Sequence, residues 1–229
     1  ADVDGNGTLD LYVTTYRTKD IRDTGRITFK NVGGKPYIPP ALQSRFVMRD
    51  GQVAEYGEPD TLYLNDGKGH FTAVSWTGGA FLDEEGKALR GAPLDWGLSA
   101  AFRDLNGDGA PDLYVCNDYW TPDRFWLNDG HGHFRAAPKL ALRKTSASSM
   151  SVDFADINRD GFLDFFVVDM QSRYPQLRKR QGFAQMPVPA MVGATDDRPQ
   201  VMRNTLFLNR HDGTFADIAC FANLPASDW

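Results

Sequence analysis

The sequence predicts an all-β fold built from about three repeated four-stranded units. Three observations lead there. An acidic pattern occurs three times, as DVDGNGTLDLYV from Asp2, DLNGDGAPDLYV from Asp104 and DINRDGFLDFFV from Asp156. A second pattern alternates with it, as LYLNDGKGHF from Leu62, FWLNDGHGHF from Phe125 and LFLNRHDGTF from Leu206. The chain also carries 22 Gly and 13 Pro, which suits many short strands better than long helices.

The elements follow in chain order. Ala1 stands inside the first acidic loop, so the first unit lacks its leading strand and the chain reads as an internal piece of a longer one. Leu11-Tyr12-Val13 leaves that loop as a strand. Residues 14–60 are an insertion with turn signals at Asn31–Pro36 and Arg49–Gln52, which predict one or two extra hairpins. The Leu-Asn segments are strands that end in Asn-Asp-Gly turns, and Phe71, Phe134 and Phe215 start the return strands. Residues 77–94 read as loop. Asp95-Trp96 opens the second unit. Leu98–Phe102 and Met150–Phe154 are short, apolar and loosely alternating, so they are strands leading into the second and third loops. Leu113-Tyr114-Val115 and Phe165–Val168, rich in β-formers, leave those loops. Residues 171–203 are a second insertion, with a short helix near Arg178, Lys179 and Arg180 and then Pro187 and Pro189. Asp228-Trp229 repeats the setting of Asp95-Trp96, as though another unit were about to begin.

Asp104 and Asp156 stand 52 residues apart, the size of a propeller blade. The reading is therefore one incomplete β-propeller region over 1–229, an arc with units at about 1–94, 95–147 and 148–227. With 41% hydrophobic and 12% aromatic residues the chain can bury a core and is not disordered. Its formal charge of −5 does not suit a nucleic-acid binder. No apolar run approaches the roughly 18 residues of a membrane span. Cys116 and Cys220 are too few for a disulfide framework and read as small buried hydrophobes.

The acidic loops carry the chemistry. Calcium takes six to eight oxygen ligands at about 2.3–2.6 Å. A nine-residue loop supplies them when side chains at positions 1, 3, 5 and 9 converge with the carbonyl of position 7. That predicts Asp2, Asp4, Asn6 and Asp10 with the carbonyl of Thr8 in the first loop. The second offers Asp104, Asn106, Asp108 and Asp112 with Ala110. The third offers Asp156, Asn158, Asp160 and Asp164 with Phe162. Gly7, Gly109 and Gly161 permit the sharp turn. Asx turns alone do not require this donor set in three copies. An EF-hand needs a Glu at position 12 and flanking helices. Here that position is Val13, Val115 and Val167, within strands, so EF-hand and dockerin-like readings fail. Without the bidentate Glu the affinity falls near the roughly 10⁻⁴–10⁻³ M of extracellular modules, which places the chain outside the cytosol.

The phrases DWGLSAAFRDLNGDGAPDLYVCND, SVDFADINRDGFLDFFVVDM and NTLFLNRHDGTFADIA resemble the FG-GAP/VCBS repeats of integrin-α-type β-propellers. They more closely resemble bacterial proteins related to cartilage acidic protein, which often carry an ASPIC/UnbV segment. The resemblance implies a seven-bladed propeller, calcium in the blade hairpins, a secreted or cell-surface location, and a role in adhesion or ligand binding. Three units cannot close a ring of four to eight blades, so the remaining blades of the same chain are expected as partners.

The function read from the sequence is a calcium-binding extracellular, periplasmic or cell-surface module for protein or carbohydrate binding. About three structural calcium ions and no catalysis of its own complete that reading. One alternative is the platform of a secreted polysaccharide-acting enzyme, and another is a ligand-free spacer. Other features have plainer explanations. Asn117, Asp118 and Asp169 read as strand-end caps rather than a ligand mouth. Tyr119, Trp120 and Trp126 read as blade packing rather than a sugar platform. His70, His131, His133 and His211 read as solvated turn residues, and Arg178-Lys179-Arg180 as a solvated helix face. The sequon Asn6-Gly7-Thr8 lies inside a metal loop and is discounted.

Overall fold

The computed structural model describes residues 1–17, 25, 27–49, 51–118, 121–180 and 198–227. Strand β1 (Leu11–Val13) is followed by the hairpin of β2 (Lys30–Val32) with β3 (Lys35–Tyr37). A second hairpin joins β4 (Phe46–Arg49) to β5 (Gln52–Glu55). Then come β6 (Thr61–Asn65), β7 (Phe71–Ala73) and β8 (Phe81–Leu82). The second repeat supplies β9 (Gly97–Arg103), β10 (Asp112–Asn117), β11 (Arg124–Asn128) and β12 (Phe134–Ala136). The rest comprises β13 (Thr145–Ser146), β14 (Ser149–Ala155), β15 (Asp164–Asp169), helix α1 (Pro175–Arg180), β16 (Gln200–Val201), β17 (Thr205–Asn209) and β18 (Phe215–Asp217).

Three sheets share one antiparallel plan. In the second, β9-β10-β11-β12 lie side by side, with Leu113 opposite Phe102 and Trp126. In the third, β14-β15-β17-β18 repeat it, with Phe165 opposite Phe154 and Phe207. The first sheet, β1-β6-β7, has the same plan without the strand before the loop. Phe71, Phe134 and Phe215 each begin a return strand, and both hairpins of the 14–60 insertion form. The fold is all-β with several small sheets, and the described sheets do not close into a ring.

The expected loop at 77–94 departs from the sequence reading. Phe81-Leu82 forms β8, which runs parallel to β12 with Phe81 opposite Phe134. Aromatic burial fixes it: Phe81 is fully buried and stacks on Phe134 at 5.4 Å, with Trp76 and Trp126 beside it. Two residues are too short a run to show alternation. A second parallel pair, β13 with β16, was equally silent in the pattern.

Two cores separate the three sheets, because β-strand side chains point alternately to opposite faces. Leu113 and Val115 of β10 join Val3, Leu62, Phe81, Trp126 and Phe134 on one face. Tyr114 and Cys116 join Phe125, Phe165, Val167, Phe207 and Phe215 on the other. The alternation buries β10 at every residue. The cysteine reading holds for Cys116, which is buried, but not for Cys220, which is exposed; both are free thiols. Cys220 follows β18 in a surface turn, where no second sheet covers it.

Among the described residues no helix is long and apolar enough to cross a membrane. Helix α1 covers the predicted helical stretch. Tyr119, Trp120, Pro187, Pro189, Asp228, Trp229 and the side chains of Arg178, Lys179 and Arg180 lie outside the described residues.

Candidate functional site

Each acidic loop is closed by the same hydrogen bonds. The position-6 glycine turns the chain at φ 84°, 88° and 90° for Gly7, Gly109 and Gly161, a region where a Cβ costs energy. Its N–H donates to the position-1 carboxylate at 2.9 Å in all three loops, on Asp2, Asp104 and Asp156. The position-7 N–H donates to the position-5 side chain. Thr8 reaches Asn6 at 2.8 Å, Ala110 reaches Asp108 at 2.8 Å and Phe162 reaches Asp160 at 2.9 Å.

The position-9 carboxylate anchors the loop to the neighbouring turn. Oδ2 of Asp10, Asp112 and Asp164 accepts the N–H of Val3, Leu105 and Ile157 at 2.8, 3.0 and 3.1 Å. Oδ1 accepts the N–H of Asn65, Asn128 and Asn209 at 2.9, 2.9 and 2.8 Å. These are the asparagines of the Leu-Asn pattern, so the alternation of the two motifs is one hydrogen-bonded device. The same asparagines tie successive units together. Asn128 Nδ2 donates to Val3 O of the first loop at 3.0 Å, and Asn209 Nδ2 to Leu105 O of the second at 3.1 Å.

The donor set fits a hard cation in chemistry, being all oxygen. Carboxylate oxygens of Asp2, Asp4 and Asp10 lie within 4.8 Å of one another. Among the described residues no other group of three does so. Loops two and three carry Asn at position 3 and Asp at position 5, the reverse of loop one. There Asn106 Nδ2 donates to Asp108 at 2.8 Å and Asn158 Nδ2 to Asp160 at 2.6 Å. Asp160 also meets His211 Nε2 at 2.7 Å. Burial pushes the Asp112 carboxyl up to about 7, and the nearby charges of Asp108 and Asp104 push the same way. A bound cation acts in the opposite sense, favouring the ionised form.

The opposite end of each hairpin holds a repeated feature that the motif search overlooked. Tyr12 OH donates to Asp60 Oδ2 at 3.0 Å, and Tyr114 OH donates to Asp123 Oδ2 at 2.7 Å. The other oxygen caps the strand end, accepting Thr15 N at 2.7 Å and Asn117 N at 2.9 Å. In the third unit the pair becomes Phe166 and Asn204, and Asn204 Oδ1 still accepts Asp169 N at 2.7 Å. The hydroxyl and the charge are lost together. The next unit rests on each acid. Ser149 Oγ donates to Asp123 at 2.8 Å, and a Cβ on Gly97 would stand 2.6 Å from Asp60 Oδ1. The legible signal was spacing: Asp60, Asp123 and Asn204 each precede the motif asparagine by five residues. Burial raises Asp60 to about 6 and Asp123 to about 7.

The remaining candidates fall into structural roles. Asn117 Nδ2 donates to Pro122 O at 2.8 Å, and Asp118 accepts Tyr16 OH at 2.8 Å. Asp169 receives Ser146 Oγ at 2.6 Å and the N–H groups of Ser148 and Gln171. These are caps at strand ends. Trp126 is buried in the aromatic core. His70 and His133 are exposed and meet Asp66 and Asp129 of their own turns. His211 stacks on Phe162 at 4.0 Å.

A family model described as an FG-GAP-like repeat matches residues 104–167. That span runs from the second acidic loop to the middle of β15. No curated protein matches the chain.

Proposed function

We propose that this chain is a calcium-binding extracellular or cell-surface propeller module for protein or carbohydrate binding, with the metal structural and no catalysis of its own. The supporting observation is the first acidic loop, where three carboxylates converge beside an amide oxygen in a turn closed by glycine. The FG-GAP-like repeat supports the adhesion or binding role, since such repeats occur typically in extracellular proteins. Asp2, Asp4, Asn6 and Asp10 with the carbonyl of Thr8 would hold one ion, and the equivalent sets in the other loops would hold two more. Calcium there supplies charge neutralisation and fixes the turn between two strands. A site filled at about 100 times its dissociation constant adds roughly 2.7 kcal/mol of stability.

The remaining blades of a ring would pack on the open face of the first sheet, where Leu11 and Val13 are exposed. The test is a calcium titration by calorimetry, with melting in calcium and in chelator. Three sites and a melting temperature several degrees lower in chelator are expected. No heat of binding and no shift would leave the loops as Asx turns and reopen the enzyme-platform and spacer readings.

A further inference from the structure

The hairpin of β2 and β3 forms a small sheet of its own. Its base is packed. Phe29, just before β2, meets Phe46 of β4 edge-on at 5.0 Å, and Ile38, just after β3, is buried. Its tip turns at Gly33 and Gly34, with φ 60° and 79°. Positive φ at both positions of a two-residue loop gives the turn whose twist matches that of the strands. The hairpin therefore has its shape before any partner arrives, which lowers the cost of binding.

Register decides what the hairpin presents. Lys30 pairs with Tyr37, and Val32 with Lys35. Paired residues share a face, and so do residues two apart along a strand. All four side chains therefore lie on one face. All four are exposed, Val32 at 62% and Tyr37 at 47%. Tyr37 has one lysine across the strand and another two residues back, with Cβ atoms about 5–7 Å away. Neither lysine forms an ion pair with a described carboxylate. Arg45, by contrast, is paired with Glu55. No Asp or Glu occurs from residue 27 to residue 48, in a chain whose formal charge is −5. Edge strands carry lysine to block further pairing, but that role does not require the lysines to flank an exposed tyrosine on one face.

We propose that this face binds an acidic polysaccharide with a carboxylate on each sugar, one ring lying on Tyr37 and the charges meeting Lys30 and Lys35. An aromatic ring flanked by cations complements a sugar ring flanked by anions. Tyrosine supplies rigid, amphipathic contact area at low entropy cost. Other polyanions and surfaces fit less well. Two lysines are few for the charge density of a nucleic acid. A lipid surface calls for a broader apolar face than Val32 and Tyr37. Strands of three residues offer far less than the roughly 800 Å² per partner of a stable protein interface. The inference gives the proposed binding module a ligand class. It rests on that reading for the role alone and not for calcium.

The test titrates the protein with a short oligogalacturonate at low salt, in calcium and in chelator. The neutral galactose oligosaccharide of equal length and oligoglutamate, an acidic peptide, serve as the comparisons. Oligogalacturonate is expected to bind in both conditions, and the neutral oligosaccharide about fivefold more weakly, the effect of two exposed ion pairs. Lys30→Gln with Lys35→Gln should weaken oligogalacturonate by about the same fivefold. Lys68→Gln with Lys87→Gln removes equal charge at exposed positions elsewhere and should not weaken it. Tyr37→Ser should weaken both oligosaccharides, and Tyr37→Phe, which keeps the ring, should weaken neither. All these positions are exposed, so the variants should melt like the wild type. Equal binding of the two oligosaccharides overturns the proposal. So does equal or tighter binding of oligoglutamate, or an equal loss in the two double lysine variants. Calcium binding without oligogalacturonate binding overturns this proposal alone. Oligogalacturonate binding without calcium binding overturns the calcium reading alone.

Discussion

The same tripeptide, Leu-Tyr-Val, leaves the first and second acidic loops, and its two copies live in different surroundings. Leu113 and Val115 are 0% and 1% exposed, whereas Leu11 and Val13 are 49% and 39% exposed. The tyrosines behave alike, each bonded to an aspartate five residues before the motif asparagine. Local chemistry is therefore carried by the repeat, but burial is carried by its neighbours. A sheet has two faces, and one repeat can cover only one of them. The second unit has a sheet on each side. The first has one on a single side, so half of its hydrophobic pattern faces outward.

The largest test of that contrast is a matched truncation. Leu113→Ala should cost about 2–5 kcal/mol, as cavities in packed cores do. Leu11→Ala should stay within about 0.5–1 kcal/mol, as exposed sites do. Denaturant melts of the two variants measure both. Equal losses would mean that the outer face of β1 is packed in solution.

Next in size is the link between units. Asn128 is 2% exposed and holds carbonyls of two units, Val3 O and Pro111 O. Asn65 donates only within its own unit, to Leu9 O at 3.1 Å. Asn128→Ala should cost about 1–3 kcal/mol because it removes the bonds to Val3 O and Pro111 O, leaving Val3 O with the Gly132 N–H alone. Asn65→Ala should cost distinctly less. A similar cost for both would show that the inter-unit bonds add nothing.

The buried aspartates give the contrast a pH dependence. Asp123 sits near 7 in the fold and Asp60 near 6, both raised by burial above the ordinary carboxylate range. The folded state therefore binds more protons than the unfolded state between about pH 4 and 7. Stability contributed by these protons is full below pH 4 and is lost as pH rises through 6 and 7. Each group can contribute a slope of at most about 1.4 kcal/mol per pH unit. Melting in chelator should therefore weaken from pH 5 to pH 7.5, and Asp123→Asn should flatten that fall more than Asp60→Asn. A wild-type curve that rises over this window would show that both acids are ionised in the fold. Tyr114→Phe combined with Asp123→Asn reproduces the third unit's Phe166 and Asn204, and should cost less than the sum of the single changes.

Much of this was legible because the repeat states it three times. The glycines, the loop carboxylates and the return-strand phenylalanines each sit in a pattern whose spacing dictates a hairpin. What escaped is what depends on touching another unit. β8 is two residues held by Phe134 of a later strand. The bonds from Asn128 to Val3 and from Asn209 to Leu105 join residues 125 and 104 positions apart. Arg198 reaches the carbonyl of Ala137, 61 positions away, only through the fold. Asp60 and Asp123 could have been found by aligning the three units outward from the asparagine, since the five-residue spacing is constant.

The smallest prediction concerns the turn tips, where the difference between the two units should vanish. Asp66 meets His70 at 2.9 Å and Asp129 meets His133 at 3.0 Å, and the histidines are 79% and 54% exposed. Exposed pairs of this kind contribute about 0–1 kcal/mol. His70→Ala and His133→Ala should therefore change stability by less than about 0.5 kcal/mol each and by the same amount. One asymmetry could break that equality. The second turn rests on the first acidic loop, with Gly132 N donating to Val3 O at 3.0 Å. A larger cost at His133 would mean that its bond to Asp129 holds the turn in place for that contact. The influence of neighbouring units would then reach beyond the cores to the solvent-facing ends of the hairpins.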